Sequence, residues 1–274
     1  MPAIDHLRAI LERQLRQLQE SEPGVREGSD PEDLHRFRVA TRRSRALIRA
    51  SRPLVRDQLA NVDRELRWLG GVSGPVRDLD VLIAHLRDLI EELEPDQAGG
   101  EAIVAVLERE RLRQREELLK AIEGERFGVL VERYAEAIER MKASDEEVSL
   151  GRLAQKEVRR LRSAYEALDD DSTNEEVHAV RIRAKHARYA AELAARSEGQ
   201  RFADLAGTLR DLQDLIGTHN DAVVAEQRVR SLASDAARLA AGRIIELERR
   251  RREAARAELP AAWRRIEKAA DKAF

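Results

Sequence analysis

The sequence repeats itself at a spacing of 143 residues, and this repeat restricts the fold more than any other feature of the chain. At that spacing, without gaps, a histidine, a glycine, an aspartate and several basic residues of the first half meet matching residues in the second. The pairs include His35 and His178, Arg38 and Arg181, Arg42 and Lys185, Arg45 and Arg188, Arg67 and Arg210, Gly74 and Gly217, and Asp78 and Asp221. An arginine-rich composition alone does not easily place His, Gly and Asp in one register. We therefore predict two structural repeats, residues 1–142 and 147–274, joined by a connector at 143–146.

Composition predicts that both repeats are helical. Charged residues make up 37% of the chain and aromatic residues only 3%, and Ala, Leu, Arg and Glu, which dominate, are good helix formers. Periodicity and its breaks predict about twelve helices, six in each repeat, with breaks at 21–24 and 70–75. Asp30 followed by Pro31 predicts the start of the second helix, as an N-cap with proline at the first helical position. The fold class is all-α.

The net charge and the N-terminal sequence exclude few functions, but they indicate the cellular compartment in which the protein is expected. The 50 Lys and Arg residues nearly balance the 52 Asp and Glu residues, giving a net charge of −2, so any attraction to anions must come from how the cations are distributed. Cysteine is absent, which excludes disulfides and thiolate metal sites. Residues 1–5 show no signal-peptide core, and no apolar run is long enough to span a membrane. We expect a cytoplasmic protein without membrane association.

A row of cations follows one face of the predicted second helix. At 100° per residue, the row shares an arc of about 100°, and it comprises His35, Arg38, Arg42, Arg45 and Arg49, with Arg52 at its end. The adjoining arc is apolar, with Leu34, Phe37, Leu47 and Ile48. No acid of the same helix joins the arc before Arg52, although like charges one turn apart repel each other. A polyanion lying along the row would relieve this repulsion.

The second repeat carries the same row and the same apolar neighbours. Its members are His178, Arg181, Lys185 and Arg188. Glu192 stands where the first repeat has Arg49, so Arg49 is the least certain member of the first row. Two such helices facing each other across a pseudo-two-fold axis would form a cationic groove or pore, in which field lines are focused between low-dielectric walls.

The two segments that carry these rows resemble one known family. Residues 34–45 (LHRFRVATRRSR) and 177–189 (VHAVRIRAKHARY), together with Arg77-Asp78-Leu79-Asp80-Val81 and Asn220-Asp221-Ala222-Val223, are similar to the motifs of the CHAD domain, the conserved histidine α-helical domain. The resemblance covers nearly the whole chain. It implies two helical bundles about a pseudo-two-fold axis, a basic central cavity, inorganic polyphosphate as the ligand, and association with polyphosphate granules in the cell.

The resemblance also implies which residues bind polyphosphate. Carried over position by position, they are His35, Arg38, Arg42, Arg45, His178, Arg181, Lys185 and Arg188, with Arg49 as a weaker candidate. Arg13, Arg16, Lys156, Arg159, Arg109, Arg113, Arg252 and Arg256 are candidates for an extended lining, and each could equally be solvated. Asp78 and Asp221 are interpreted as helix caps or as carboxylates that orient a ligand-binding arginine.

The residue types suit a phosphate chain. Guanidinium groups bind two phosphate oxygens at once and stay charged at any cellular pH. Bound phosphate should promote protonation of the two histidines, whereas the nearby arginines oppose it. We therefore predict tighter binding at pH 6 than at pH 8.

Three other functions are weighed against this one. Glu32 with His35, and Glu175 with His178, match the Glu-x-x-His pairs of di-iron bundles, but these acids also suit first-turn positions. Nucleic acid is the closer alternative because its backbone is also a phosphate chain, although aromatic residues for base stacking are scarce. A helical scaffold would bind neither polyanion. With no phosphate-binding loop, Mg²⁺ cluster or nucleophile–base pair recognised, we expect a binding protein that is not an enzyme and needs no cofactor or metal.

Overall fold

The computed structural model describes residues 3–144, 149–169 and 171–274, and within them it is helical without strands. These parts of the chain contain ten α-helices and one short 3-10 helix, Asp235–Ala237. The α-helices are α1 (Ala3–Glu27), α2 (Pro31–Ala50), α3 (Arg52–Val55), α4 (Ala60–Glu91), α5 (Gln97–Glu123), α6 (Glu125–Arg140), α7 (Leu150–Glu166), α8 (Asn174–Glu198), α9 (Gln200–Leu232) and α10 (Arg238–Ala273). The all-α prediction is confirmed.

The starts of the two helices that carry the cationic rows follow from local sequence. Asp30 caps α2 by accepting a hydrogen bond from the backbone N–H of Glu32, and Pro31 occupies the first helical position. Thr173 caps α8 in a capping box with Glu176, in which each side chain accepts from the other residue's backbone N–H. The acids of both first turns therefore serve the helix ends, as the sequence indicated.

Two predicted helix breaks are wrong. The first helix continues through Pro23 to Glu27, and α4 runs unbroken from Ala60 to Glu91 with Pro75 inside it. Buried residues continue at helical spacing across the glycines of α4, from Leu69 to Val76. Burial of this stripe outweighs the weak helix propensity of glycine and the hydrogen bond that Pro75 cannot donate.

The chain forms two compact units, and α4 and α5 contribute residues to both. The first unit comprises Met1–Asp80 and Glu110–Ser149, and the second comprises Val81–Arg109 and Leu150–Phe274. Segment 81–109 belongs to the first sequence repeat but packs in the second unit, so compact units and sequence repeats are different divisions of the chain. The repeat boundaries stay a prediction, and residues 145 and 146 of the connector lie outside the described residues.

Each unit has its own apolar core. In the first unit α1 packs on α2 and α6 around buried side chains such as Leu11, Phe37, Leu66 and Tyr134. In the second unit α8 packs between α7 and α9, and α9 packs on α10. Its buried residues include the small Ala187, Ala190 and Ala191 of α8. These cores leave the cationic rows of α2 and α8 at the edges of the buried stripes.

Several arginines bond backbone carbonyls at helix ends and connections. Arg8 donates to the carbonyls of Ile138 and Met141 at the end of α6, and Arg115 donates to those of Arg26 and Glu27 at the end of α1. In the second unit Arg243 donates to three carbonyls of residues 92–94 between α4 and α5. Part of the arginine content therefore stabilises helix ends, whose last carbonyls lack partners within the helix.

Candidate cationic faces

The first row lies along the border between the buried and the exposed side of α2. Leu34, Phe37, Leu47 and Ile48 are buried, as predicted. We call the row His35, Arg38, Arg42, Arg45 and Arg49, together with the α4 residues that contact it, the first face. Arg42 and Arg49 are exposed, and the other three are partly exposed. The row is therefore accessible from one side and supported by α4 on the other.

Arg38 packs against the part of α4 that contains Gly70 and Gly74. Its Nη2 donates to Asp78 Oδ1 at 3.2 Å and its Nη1 to the carbonyl of Gly70 at 3.4 Å. A Cβ on Gly74 would lie only 2.9 Å from Arg38 Nη1, so a side chain at this position would displace the end of the Arg38 side chain. Burial lowers the pKa of Arg38 and Asp78 raises it.

The interpretation of Asp78 and Asp221 as helix caps is wrong. Asp78 lies in the middle of α4 and Asp221 in the middle of α9, because the helices that were expected to begin near them are continuous. Asp78 instead contacts Arg38 from the neighbouring helix, which is the other interpretation made from the sequence.

An acid that the sequence pattern did not reveal lies at the far end of the first face. Asp63 of α4 accepts from Arg45 Nε at 3.1 Å and from Arg49 Nε at 3.2 Å, and Arg67 Nη2 lies 3.9 Å away. Burial lowers the pKa of Arg45, and the hydrogen bond from Arg45 to Asp63 raises it. The absence of acids within the α2 arc therefore does not mean that the row is unbalanced, since α4 supplies them.

The second face is built in the same way from α8 and α9. Its row is His178, Arg181, Lys185 and Arg188, and a Cβ on Gly217 would lie 3.6 Å from Arg181 Nη2, an ordinary contact distance. Here the acid comes from α8 itself. Glu192 Oε1 lies 3.7 Å from Arg188 Nε and 3.7 Å from Arg210 Nη2.

The two histidines at the start of the rows have similar electrostatic surroundings but different neighbours. Burial lowers the pKa of His35, Glu32 raises it, and Arg77, Arg42 and Arg38 lower it. Burial lowers the pKa of His178 first, followed by Arg181 and Lys185. Asn220 Nδ2 donates to His178 Nδ1 at 3.1 Å. Burial and neighbouring cations therefore hold the pKa of both histidines below its usual value in the free protein.

The candidates for an extended lining divide into exposed and anchored arginines. Six of them are exposed on their helices: Arg13, Arg16, Lys156, Arg159, Arg109 and Arg113. Arg16 borders a groove of about 560 Å³ between α1 and α6, which no member of the first row lines. Arg252 pairs with the buried Glu226 at 3.2 Å. Arg256 donates to the carbonyls of Ser172 and Asp169 before α8, so it stabilises that connection.

The sequence pattern identified only part of the contribution of α4 and α9 to the faces. Asp63, Arg77 and Asn220 each contact or electrostatically influence a row residue. Asp63 was not singled out, and Arg77 and Asn220 were named only within the motifs of the family resemblance. The repeat is a second signal, since it pairs Arg67 with Arg210 and Arg77 with Asn220. Helical spacing within α2 gives one helix face, but it does not identify the helix packed beside it.

Two further searches of the structure bear on the alternatives. Within residues 3–144, 149–169 and 171–274, no three or more His, Asp or Glu side chains are grouped so that they could hold a metal ion. None of the helices described combines the length and the apolar character needed to cross a bilayer. Phe37 and Tyr189, the aromatic residues closest to the rows in sequence, are both buried.

Fold and site together define a class: an all-helical protein that carries a His/Arg/Lys row on one helix of each compact unit. The sequence pattern of the CHAD domain matches residues 9–230, which is most of the chain. The chain belongs to the CHAD domain family.

Solved structures and curated relatives agree with this fold. PptA from Streptomyces chartreusis superposes with a TM-score of 0.75 at 22% identity, covering 96% of this chain and 100% of that one. The CHAD domain from the plant Ricinus communis superposes with a TM-score of 0.69 at 24% identity, covering 99% of this chain and 92% of that one. Two uncharacterised Mycobacterium tuberculosis proteins, MT2285 and Rv2226, are each 28% identical over 290 residues, covering 99% of this chain and 55% of theirs. The chain thus spans about half the length of these two relatives.

Proposed function

We propose that the protein binds inorganic polyphosphate along the first and second faces, without turning it over. The observation that carries the proposal is the recurrence of one His-x2-Arg-x3-Arg/Lys-x2-Arg row on α2 and α8, each beside a buried stripe and accessible from one side. Membership in the CHAD family, which is associated with polyphosphate, supports the choice of ligand. The pseudo-two-fold arrangement, the central basic cavity, the cytoplasmic location and the association with granules are further parts of this proposal.

The geometry of the first face suits a chain of phosphates better than one small anion. From His35 to Arg49 the row extends about 21 Å at 1.5 Å per residue. Arg38 is already positioned by Asp78 and Gly70, which reduces the ordering cost of binding. The Asp78 side chain is mostly exposed and the Arg38 side chain is mostly covered. The ion pair therefore leaves one edge of the Arg38 guanidinium open to a ligand, and it does not bury the carboxylate next to that ligand.

Nucleic acid is the less favoured polyanion. Single-stranded nucleic acid binding usually relies on accessible aromatic side chains for base stacking, and Phe37 and Tyr189 are 0% and 4% exposed. Competition of labelled polyphosphate against single-stranded DNA and RNA distinguishes the two ligands. We expect polyphosphate to displace both nucleic acids, and preferential binding of either nucleic acid would contradict the proposal.

Charge reversal at the centre of both rows tests the proposal. We expect Arg38→Glu combined with Arg181→Glu to weaken long-chain polyphosphate binding by at least about a hundredfold, because two charge-assisted hydrogen bonds worth roughly 1.5–3 kcal/mol each are lost. Isothermal titration calorimetry measures the affinity. The matched control is Arg140→Glu with Arg250→Glu, which changes the net charge equally at sites 77% and 71% exposed on α6 and α10. Equal losses in both variants would show that binding depends on bulk charge alone.

A further inference from the structure

We infer that the two faces are unequal and that the first face, on α2 and α4, is the tighter polyphosphate site. The inference rests on the proposed function and concerns the positions at which the two repeats differ. Symmetric rows would give two equivalent sites, but the residues beside the rows are not symmetric. The differences at the far end of the rows make the first face more positive than the second.

The first difference lies beside the histidines. Arg77 of α4 is close enough to His35 and Arg38 to lower the pKa of both. At the corresponding place in α9 stands Asn220, whose amide donates to His178 at 3.1 Å. A phosphate near His35 therefore meets one more guanidinium and also the carboxylate of Glu32, whereas a phosphate near His178 meets a neutral amide.

The second difference lies at the far end of the rows. In the first unit one acid, Asp63, is shared by three arginines, Arg45, Arg49 and Arg67. In the second unit one acid, Glu192, stands in the place of Arg49 and is shared by two arginines, Arg188 and Arg210. The position that carries the Arg49 guanidinium on the first face thus carries a carboxylate on the second.

The cations at this end also differ in accessibility. The Arg49 side chain is 45% exposed, so it can contact a ligand while Asp63 orients it. In the second unit Arg188 is only 12% exposed, and its guanidinium lies over the Tyr189 ring at 4.5 Å. At this end the row helix α2 carries the accessible guanidinium of Arg49. On α8 the same position is Glu192, 16% exposed, and the accessible guanidinium, Arg210, lies on α9 and pairs with that acid.

A third difference adds an acid to the second face. Asp214 follows Arg210 by one helical turn on α9 and is exposed, whereas α4 has Gly71 at the corresponding position. Exposed ion pairs are worth up to about 1 kcal/mol each, which corresponds to an affinity change of up to about fivefold. We expect these differences together to make the first face bind polyphosphate about tenfold more tightly than the second.

Sodium tripolyphosphate, which is shorter than the roughly 21 Å of one row, tests the inequality in calorimetric titrations. We expect two binding steps in the wild-type protein. Arg38→Glu should remove the tighter step and Arg181→Glu the weaker one. Two indistinguishable steps, or equal effects of the two single reversals, would overturn the inequality while leaving the proposed function intact. No binding of tripolyphosphate or of long-chain polyphosphate by the wild type would overturn both.

Substitutions that make the two faces more alike provide the second arm. Arg77→Asn should weaken the tighter step two- to fivefold, and Asn220→Arg should strengthen the weaker step by a similar factor. Asn220 is only partly exposed, so a larger side chain there also tests packing. Arg49→Gln is the cleaner variant, because the Arg49 side chain is 45% exposed and its replacement leaves the packing of α2 intact. It should weaken the tighter step alone. An unchanged tighter step in both Arg77→Asn and Arg49→Gln would overturn the inference.

Discussion

The two row histidines connect the cationic faces to pH. In the free protein, burial and neighbouring cations lower the pKa of His35 and His178 below the usual value of 6.5. Bound phosphate stabilises the imidazolium form and raises the pKa. Binding therefore takes up protons. As pH falls, affinity begins to rise near the histidine pKa of the bound state, and it levels off below the histidine pKa of the free protein.

We accordingly expect polyphosphate to bind more tightly at pH 6 than at pH 8. The expected factor is about two- to tenfold, because each of the two histidines adds one exposed charge pair, worth up to about 1 kcal/mol. Titrations of the wild type and of a His35→Gln/His178→Gln variant at both pH values measure the effect, which the variant should lack. Equal affinity of the wild type at both pH values would remove the histidines from the ligand contacts.

The same shifts affect the stability of the free protein in the opposite direction. Because the pKa of each histidine is lower in the folded state, the unfolded state binds more protons near pH 6. The stability contribution of the neutral histidines is present above pH 6.5 and is lost as pH falls through 6.5 toward the folded-state value. Ligand binding offsets this loss.

At the scale of helices, the packing of α2 on α4 decides where the cations point. Arg38 lies beside Gly70 and Gly74 of α4, and Asp78 and Asp63 of the same helix pair with Arg38 and Arg45, respectively. The glycines that suggested a helix break in the sequence are therefore part of the first face.

Alanine at Gly74 separates this role from helix stability. An added Cβ would lie 2.9 Å from Arg38 Nη1, so the guanidinium must shift, and we expect polyphosphate affinity to fall about threefold or more if an exposed ion pair of about 1 kcal/mol is disturbed. Thermal unfolding should show no loss of stability, because Gly→Ala inside a helix gains roughly 0.5–1 kcal/mol.

The controls for this substitution lie in the same structural setting. A Cβ at Gly71 meets nothing within 4 Å, so Gly71→Ala should stabilise the protein and leave affinity unchanged. At Gly217 the nearest atom, Arg181 Nη2, is 3.6 Å away, so Gly217→Ala should have a smaller effect than Gly74→Ala. Affinity losses of equal size in Gly71→Ala and Gly74→Ala would contradict the role of Gly74.

Sequence reasoning located the row helices and their buried sides because both depend on local periodicity and capping. Asp30 and the stripe around Phe37 are where the pattern placed them. It failed at residues 70–75, where burial along α4 overrides the local preference of glycine and proline. It also missed Asp63, since the spacing within α2 carries no information about the residue that α4 presents to it.

At the scale of the whole molecule, the net charge is near zero although two helix faces carry rows of cations. Both hold at once because many of the other charged residues are bonded within their own unit. Arg8, Arg115, Arg243 and Arg256 bond helix-end or connecting carbonyls, and Arg252 pairs with the buried Glu226. The basic residues thus have two different uses. Those that cap helices stabilise the fold, and those of the two rows lie on accessible helix faces.

A crystal structure of the protein with a medium-length polyphosphate chain is the most direct measurement of what these rows do. We expect phosphate oxygens within hydrogen-bonding distance of the Arg38 and Arg42 guanidinium groups on α2, and at higher ligand concentration also of Arg181 and Lys185 on α8. Phosphates bound elsewhere, for example in the α1–α6 groove beside Arg16, with both rows empty, would contradict the assignment of the site.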